Sequence, residues 1–182
     1  MTNTNTPPAG NISAAPRYKA RWLTVCGFLM AMNTVLSSFN IPVPGGHFYL
    51  NDVIIVAAAL SLDPLGAFLV GGVGAFLGDF FFYPLPMFVS LATHGLEAVV
   101  LSLFARRYGK KNLPLTFFGV FLGALIVVIG YSLGRAYVYS TPEYSLIKLP
   151  FEILQAGIGA ILGAFIWKNR NMGDIIRKII SK

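Results

Sequence analysis

Long uninterrupted apolar runs are the feature that most constrains what this chain can fold into. Five of them extend over about 22–39, 65–82, 86–105, 115–138 and 146–167. A helix needs about 20 predominantly apolar residues to cross a bilayer. Of the 182 residues, 55% are hydrophobic and only 12% are charged, whereas a soluble domain carries about 25% charged residues. The sequence therefore predicts an integral membrane protein.

A shorter apolar run lies between Val53 and Leu62 and ends at Asp63-Pro64. Proline disfavours a helix through the residue that precedes it. We interpret this run and the one that follows as two short or tilted spans joined by a very tight turn, and a single re-entrant hairpin is the alternative. The predicted fold class is all-α, an integral membrane bundle of six transmembrane helices.

The two ends of the chain lie outside these spans. Residues 1–16 are rich in Asn, Thr, Pro and Ala, which predicts a disordered N-terminal tail. Residues 17–170 form the predicted six-helix membrane domain. Residues 171–182 place isoleucines between basic residues, which predicts a short amphipathic helix on the membrane surface. A signal peptide is the competing interpretation of the first run, but its apolar region would be shorter and no clear cleavage site follows.

Positive charge orients the predicted bundle. Twelve of the 14 Lys and Arg residues fall on one side of it, namely Arg17, Lys19, Arg21, Arg106, Arg107, Lys110, Lys111, Lys168, Arg170, Arg177, Lys178 and Lys182. Only Arg135 and Lys148 lie elsewhere. The positive-inside rule then predicts that both termini are cytoplasmic. The net charge of +7 is explained by topology and contact with anionic lipid headgroups, so no nucleic-acid partner is expected.

The few polar and ionisable residues inside the spans share the outer half of the membrane. A charged group at the bilayer centre costs about 2.5 kcal/mol or more, so each one needs a reason. Depth is estimated from the helical rise of about 1.5 Å per residue. The residues that fall in the outer half or at the outer surface are Asp52, Asp79, His94, Glu97, Tyr131, Arg135, Glu152 and Gln155. A channel or proton relay would carry polar groups through the full thickness. The pattern instead predicts a binding cavity open to the outside and sealed below.

Structural explanations compete for some of these residues. Asp79 or Glu152 would form a simple ion pair with Arg135, and Asp52 would cap its helix. His94 and Glu97 are three residues apart and share a helix face. Two such groups near the middle of the membrane favour a functional role.

The loop from Asn40 to Asn51 contains two prolines and two glycines, which predict a fixed, turn-rich loop. It lies above the predicted cavity and carries the candidate ligand-binding residues His47, Tyr49 and Asn51. Two interpretations remain open at this point, a lid over the cavity and a plain connector.

The sequence lacks the motifs of an energy-consuming or catalytic protein. There is no phosphate-binding loop that ends in Lys-Ser or Lys-Thr, no catalytic motif of the hydrolases, and no metal-ligand spacing between the two histidines. We therefore expect no catalytic residue, no metal and no cofactor. Gly27 and Ala31 form a small-residue pair in the inner half of the first span, which is suited to close helix contact with another membrane protein.

These residues resemble the substrate-binding S components of energy-coupling factor (ECF) vitamin transporters. The resemblance covers about 21–168 and is closest to the subgroup for riboflavin, hydroxymethylpyrimidine or pyridoxine-like substrates. It is carried by Gly46-His-Phe-Tyr-Leu-Asn-Asp52, Asp63-Pro64-Leu-Gly66, Gly71-Gly72-Val-Gly74, Asp79, Tyr83-Pro84 and His94-Gly-Leu-Glu97.

The resemblance implies a vitamin-binding subunit in a prokaryotic cell membrane, with an outward pocket. It also implies two kinds of partner, a transmembrane coupling (T) subunit and two cytoplasmic ATPase subunits that hydrolyse the ATP. Gly27 and Ala31 match the small residues with which such subunits dock.

The sequence departs from the subgroup at three positions. Asn51 and Asp63 stand where glycines are usual, and His94 stands where lysine is usual. A small pyridine or pyrimidine vitamin, pyridoxine or hydroxymethylpyrimidine, is the favoured ligand, and riboflavin is the alternative. A six-span solute channel and a membrane enzyme that uses His94 and Glu97 as acid and base are the competing functions.

Overall fold

A computed structural model describes residues 14–169 and 171–181. Seven helices are present in these two ranges: α1 (Ala14–Ser37), α2 (Asp52–Ala59), α3 (Pro64–Phe82), α4 (Met87–Arg107), α5 (Leu113–Tyr139), α6 (Pro142–Asn169) and α7 (Met172–Ser181). Most of the predicted tail, residues 1–13, lies outside the described residues. Helix α1 begins at Ala14. Residues 14–16, the last three of the segment predicted as a disordered tail, are therefore helical.

Four of the described helices, α3 to α6, are long and apolar enough to cross a membrane. Helix α1 has 24 residues. Helix α2 is different because its eight residues extend only about 12 Å, whereas the hydrocarbon core is about 30 Å thick. The short apolar run therefore forms a buried half-length helix, and the six-span topology remains a prediction.

The segment between α1 and α2 forms a β-hairpin, which the all-α prediction did not include. Strand β1 (Asn40–Val43) pairs antiparallel with β2 (Gly46–Tyr49). The two-residue turn has Pro44 followed by Gly45, whose φ is +79°; proline then glycine at positive φ is the pattern of a type II turn. The predicted turn-rich loop is thus a regular element with a fixed register.

Glycines allow the helices to pack closely around the hairpin and α2. A Cβ on Gly74 would lie 2.7 Å from the Asn33 side chain of α1, and one on Gly163 would lie 2.6 Å from Val56 of α2. Such contacts are too short for any larger residue. Gly74 and Gly163 are therefore internal packing positions, where close helix contact requires glycine.

The end of the bundle that carries the basic residues is filled with apolar side chains. One buried cluster joins Ile55 and Val56 of α2, and Leu60 directly after it, to Leu101 and Trp167. We call this end of the bundle the basic end, and the end with the hairpin the cavity end.

Helix α7 packs against the basic end. Its Ile176 and Ile180 are buried in a second cluster with Cys26 and Leu62. Lys110 contacts Asp174 at 3.0 Å, and this cation holds the pKa of the exposed carboxyl below its ordinary value. A helix is therefore present where the amphipathic pattern predicted one, and one side of it belongs to the protein core.

Candidate functional site

A polar cavity lies at the cavity end, beneath the hairpin. The residues that line it come from the hairpin, from α1, from α3 to α6 and from the short segments next to them. They are Ser37, Gly45, Gly46, His47, Tyr49, Asn51, Ala75, Asp79, Tyr83, Pro86, His94, Tyr131, Arg135, Tyr139, Lys148, Glu152 and Gln155. Sequence elements that are far apart in the chain thus converge on one chamber. This is the arrangement expected of a ligand site.

His94 is central to the wall formed by α2 and α4. Its Nδ1 lies 2.8 Å from Oε2 of Glu97, and its Nε2 lies 3.5 Å from Oδ1 of Asp52. All three side chains are almost completely buried. The three-residue spacing of His94 and Glu97 puts both on one face of α4, as expected. The imidazole therefore sits between two carboxylates, and of the three it is His94 that lines the cavity.

Asp79 of α3 belongs to the same wall and is positioned by two hydroxyl groups. Ser90 donates a hydrogen bond to Oδ2 of Asp79, and the Tyr131 hydroxyl donates to Ser90 over 2.6 Å. This chain engages one carboxylate oxygen, and the other is available as an acceptor. Asp79 is not an ion-pair partner of Arg135, which was one of the structural explanations.

A second wall, from α5 and α6, carries two basic side chains. Arg135 Nη1 lies 3.0 Å from Oε2 of Glu152, and Lys148 Nζ lies 3.6 Å from the same oxygen. Lys148 is only 1% exposed. The predicted Glu152–Arg135 pair is therefore present, but it is part of a triad in which one carboxylate faces two cations.

A π-helical turn places Arg135 in this wall. Residues Arg135–Tyr139 form the last turn of α5 with the wider π-helical period. The guanidinium of Arg135 lies 5.8 Å from the centre of the Tyr139 ring, and both residues line the cavity. Single π-helical turns within α-helices are frequent at functional sites.

Gln155 connects the hairpin to the buried charges. Its Oε1 accepts a hydrogen bond from the backbone N–H of Tyr49 at 3.1 Å, and its Nε2 donates to Oδ2 of Asp52 at 3.0 Å. Asp52 opens α2, yet its carboxylate bonds across to α6 and approaches α4. The capping explanation for Asp52 is therefore incomplete, because the side chain ties three elements together.

Asn51 is held in a separate polar network. Its Nδ2 donates to Oδ1 of Asn33 at 3.1 Å, and Asn33 donates to the carbonyl of Val70 at 2.7 Å. Val70 lies in the π-helical turn Leu69–Val73 of α3, where a change of helical period disturbs the usual backbone bonding. Asn51 therefore anchors the end of the hairpin to α1 and α3.

Several buried polar atoms around the cavity have no hydrogen-bond partner among the described residues. They include His47 Nδ1 and the Tyr49 hydroxyl. Buried polar atoms in folded proteins are usually paired, and leaving one unpaired costs about 1–3 kcal/mol. Unpaired atoms that share one chamber are therefore candidate contacts for a ligand.

The cavity is small and closed below. Its volume, taken as the space that the centre of a water molecule can reach, is about 40 Å³. A single water needs roughly 10–15 Å³ by the same definition. The apolar cluster around Ile55, Leu60 and Leu101 lies beneath it. A ring-sized ligand therefore requires the hairpin or the surrounding side chains to move apart.

The structure brings together the residues that were expected to bind ligand. Nine of the eleven line the cavity, and the other two, Asp52 and Glu97, lie directly behind His94. The cavity wall also contains Lys148 and two tyrosines that were not among the predicted ligand-binding residues, Tyr83 and Tyr139. The signal for Lys148 was its isolation, since it and Arg135 were the two basic residues outside the basic clusters.

Gly27 and Ala31 lie away from the cavity, on α1. A Cβ on Gly27 would have no neighbour within 4 Å, and Ala31 is exposed. Both therefore lie on an open face of the bundle, and their docking role stays a prediction.

A comparison with family models places the whole bundle in one group. The model described as ECF-type riboflavin transporter, S component, matches residues 17–171. No curated protein matches the sequence.

Proposed function

Since this chain belongs to the family of S components of ECF-type riboflavin transporters, we propose that it captures one small B vitamin or vitamin precursor in the cavity. The family consists of substrate-binding subunits for vitamin uptake, which are multi-pass membrane proteins rather than enzymes and which work with a T component and ATPases. The proposal concerns the ligand, the topology and the residues that bind.

The observation that carries the proposal is the set of unpaired buried polar atoms in one chamber. His47 and Tyr49 each contribute one such atom. A ligand that offers complementary donors and acceptors would remove the cost of leaving them unpaired. The same atoms confer specificity, because an analogue that fails to pair them restores that cost.

The ligand that we propose is hydroxymethylpyrimidine or pyridoxine. A single ring requires less movement of the hairpin and side chains than the three fused rings of riboflavin, which remains the alternative. The tyrosines at positions 49, 83 and 139 line the cavity and offer faces for stacking on a flat ring.

The topology that we propose has six membrane crossings in a prokaryotic cell membrane, with both termini in the cytoplasm. The basic end of the bundle then faces the cytoplasm, as the positive-inside rule requires. The cavity end faces outward, where an uptake protein meets its substrate. Coupling to a T subunit and two ATPases would supply the energy.

The test is a binding screen on the purified full chain in lipid nanodiscs. Hydroxymethylpyrimidine, pyridoxine and riboflavin are each added in a thermal-unfolding assay, and hits are measured by calorimetry. A ligand at 100 times its Kd stabilises the folded state by about 2.7 kcal/mol. One of the first two ligands is expected to give that shift, and riboflavin alone would support the alternative.

A pair of tyrosine variants tests the position of the site. Tyr49→Phe removes an unpaired hydroxyl in the cavity, and Tyr108→Phe makes the same change at the end of α4, outside the cavity. We expect only the first to weaken vitamin binding. If no vitamin binds the wild-type chain, the proposed function is wrong.

A further inference from the structure

The two walls of the cavity carry opposite charge. On one wall, Asp79 lines the cavity, and the carboxylates of Asp52 and Glu97 lie behind His94. This wall therefore has three carboxyl groups and one imidazole, so its acidic groups outnumber its basic one. On the other wall, two basic side chains share the single carboxylate of Glu152, so basic groups outnumber the acidic one there.

This separation of charge is built from buried side chains. Arg135, Lys148 and Glu152 are each less than a tenth exposed, as are Asp79 and His94. Little water is present to screen their fields, so charge interactions across the chamber are stronger than at a surface. The free energy of binding therefore depends on how charge is distributed within the ligand.

A dipolar ligand fits the two walls better than an ion of either sign. A cation would be attracted by Asp79 and repelled by Arg135 and Lys148, and the reverse holds for an anion. A molecule with a positive group at one edge and a negative group at the other gains from both walls. Arg135, which lines the cavity and has five N–H groups, would donate to the negative group in a charge-assisted bond.

We infer that the cavity binds its vitamin as a dipolar 3-hydroxypyridine. The protonated ring nitrogen faces Asp79, and the phenolate oxygen on the ring faces Arg135 and Lys148. This inference rests on the proposed function and selects pyridoxine between its two favoured ligands. In such a ring the phenolic O–H bond breaks and an N–H bond forms at the ring nitrogen, so the proton stays within the ligand. Hydroxymethylpyrimidine and riboflavin have no phenol that can supply this proton.

The ultraviolet spectrum of the bound ligand tests the charge state directly. The dipolar and uncharged tautomers of pyridoxine absorb at different wavelengths. We expect the band of the dipolar tautomer to dominate in the difference spectrum between the complex and the free protein. A complex in which the uncharged tautomer dominates would overturn the inference while leaving vitamin binding intact.

A ligand series separates the inference from the proposed function. Pyridoxine is compared with its 3-deoxy analogue, which keeps the ring nitrogen and the hydroxymethyl groups but lacks the phenol. Loss of a charge-assisted hydrogen bond weakens binding by about 10- to 100-fold, and we expect a loss of that size. Equal affinities, or tight binding of hydroxymethylpyrimidine or riboflavin alone, would overturn the inference but support the proposed function. Failure of every vitamin to bind would overturn both.

Charge variants then assign the two edges of the ring. Asp79→Asn removes a charge from one wall, and Arg135→Gln removes a charge from the other. Asp174→Asn and Arg177→Gln make the same changes at exposed side chains of α7. We expect the first two variants to lower pyridoxine affinity at least tenfold and to reduce the dipolar band. The α7 variants should leave both unchanged. If a cavity variant fails to fold, the wild-type spectrum and the ligand series still decide the question.

Discussion

At the scale of single residues, Lys148 is the most informative side chain in the cavity. Less than 2% of its surface is exposed, and burying an ammonium group costs several kcal/mol unless it is paired. Its nearest carboxylate, Glu152, is shared with Arg135. This arrangement leaves positive charge for a ligand.

We predict that Lys148→Met lowers vitamin affinity by about tenfold, since one charge-assisted contact is lost. Methionine keeps an unbranched stem, so the packing beneath Gly45 is preserved, and Arg135 still neutralises Glu152. Calorimetric titration measures the change. The matched control is Lys168→Met on the exposed end of the same helix, which should bind as the wild type does. Unchanged affinity of the first variant would show that the ammonium group does not reach the ligand.

Gln155 offers a second test at this scale. In Gln155→Leu, the Tyr49 N–H and one oxygen of Asp52 lose their partner, and each such loss costs about 1–3 kcal/mol. We expect a lower free energy of unfolding and faster ligand dissociation, which denaturant titration and stopped-flow fluorescence would measure. Asn169→Leu, at the exposed end of α6, provides the control. Equal dissociation rates in the variant and the wild type would contradict a link between Gln155 and the hairpin.

At the scale of elements, the hairpin is held down through its turn. A Cβ on Gly45 would lie 2.9 Å from both the Cβ of Lys148 and the carbonyl oxygen of Tyr144. The turn therefore rests directly on the backbone of α6, with no room for a larger residue. This close contact positions the hairpin over the cavity.

Two glycine variants separate this contact from backbone strain. Gly45 and Gly109 both have positive φ, but a Cβ on Gly109 would meet nothing within 4 Å. Gly109→Ala should cost only the strain of the left-handed conformation, about 1–2 kcal/mol. Gly45→Ala should cost more than that and should also weaken vitamin binding, because the hairpin must lift from α6. Thermal unfolding and calorimetry measure both effects, and equal affinity losses in the two variants would contradict the prediction.

The long elements were predictable from the sequence, and the short ones were less so. Residues 65–82 and 86–105 were expected as spans, and the structure has helices at Pro64–Phe82 and Met87–Arg107, because long apolar runs admit few other solutions in a membrane. The hairpin was missed because Pro42 argues against a strand unless it lies at an edge, and a two-stranded ribbon has only edges.

The candidate site was predictable in composition but not in its contacts. Depth along a helix follows from the residue count, so the outer-half cluster can be identified from the sequence alone. Which side chains face each other depends on helix rotation and on the π-helical turn at Arg135, which leaves no periodic signal. Lys148 was missed for this reason, although its isolation from the other basic residues was visible.

At the scale of the whole molecule, the open face of α1 is the predicted contact with the transport partner. We expect Gly27→Leu to abolish uptake in cells that supply the T subunit and ATPases, because the added side chain separates the helices. Vitamin affinity should stay unchanged, since a Cβ there meets no atom of the described chain within 4 Å. Gly157→Leu on α6, whose Cβ position is equally open, is the control and should transport normally. Loss of affinity together with uptake would contradict a docking role.

The half-length of α2 has a consequence for the opposite end of the protein. Because α2 has only eight residues and extends about 12 Å, other segments must fill the space beyond its last turn. Side chains from α1, the α2–α3 turn and α7 meet there, with Ile176 and Ile180 packed against Leu62. Helix α7, although distant from α2 in the sequence, therefore completes the packing below it. Truncating α7 would remove Ile176 and Ile180 from this cluster and weaken the packing beneath the cavity.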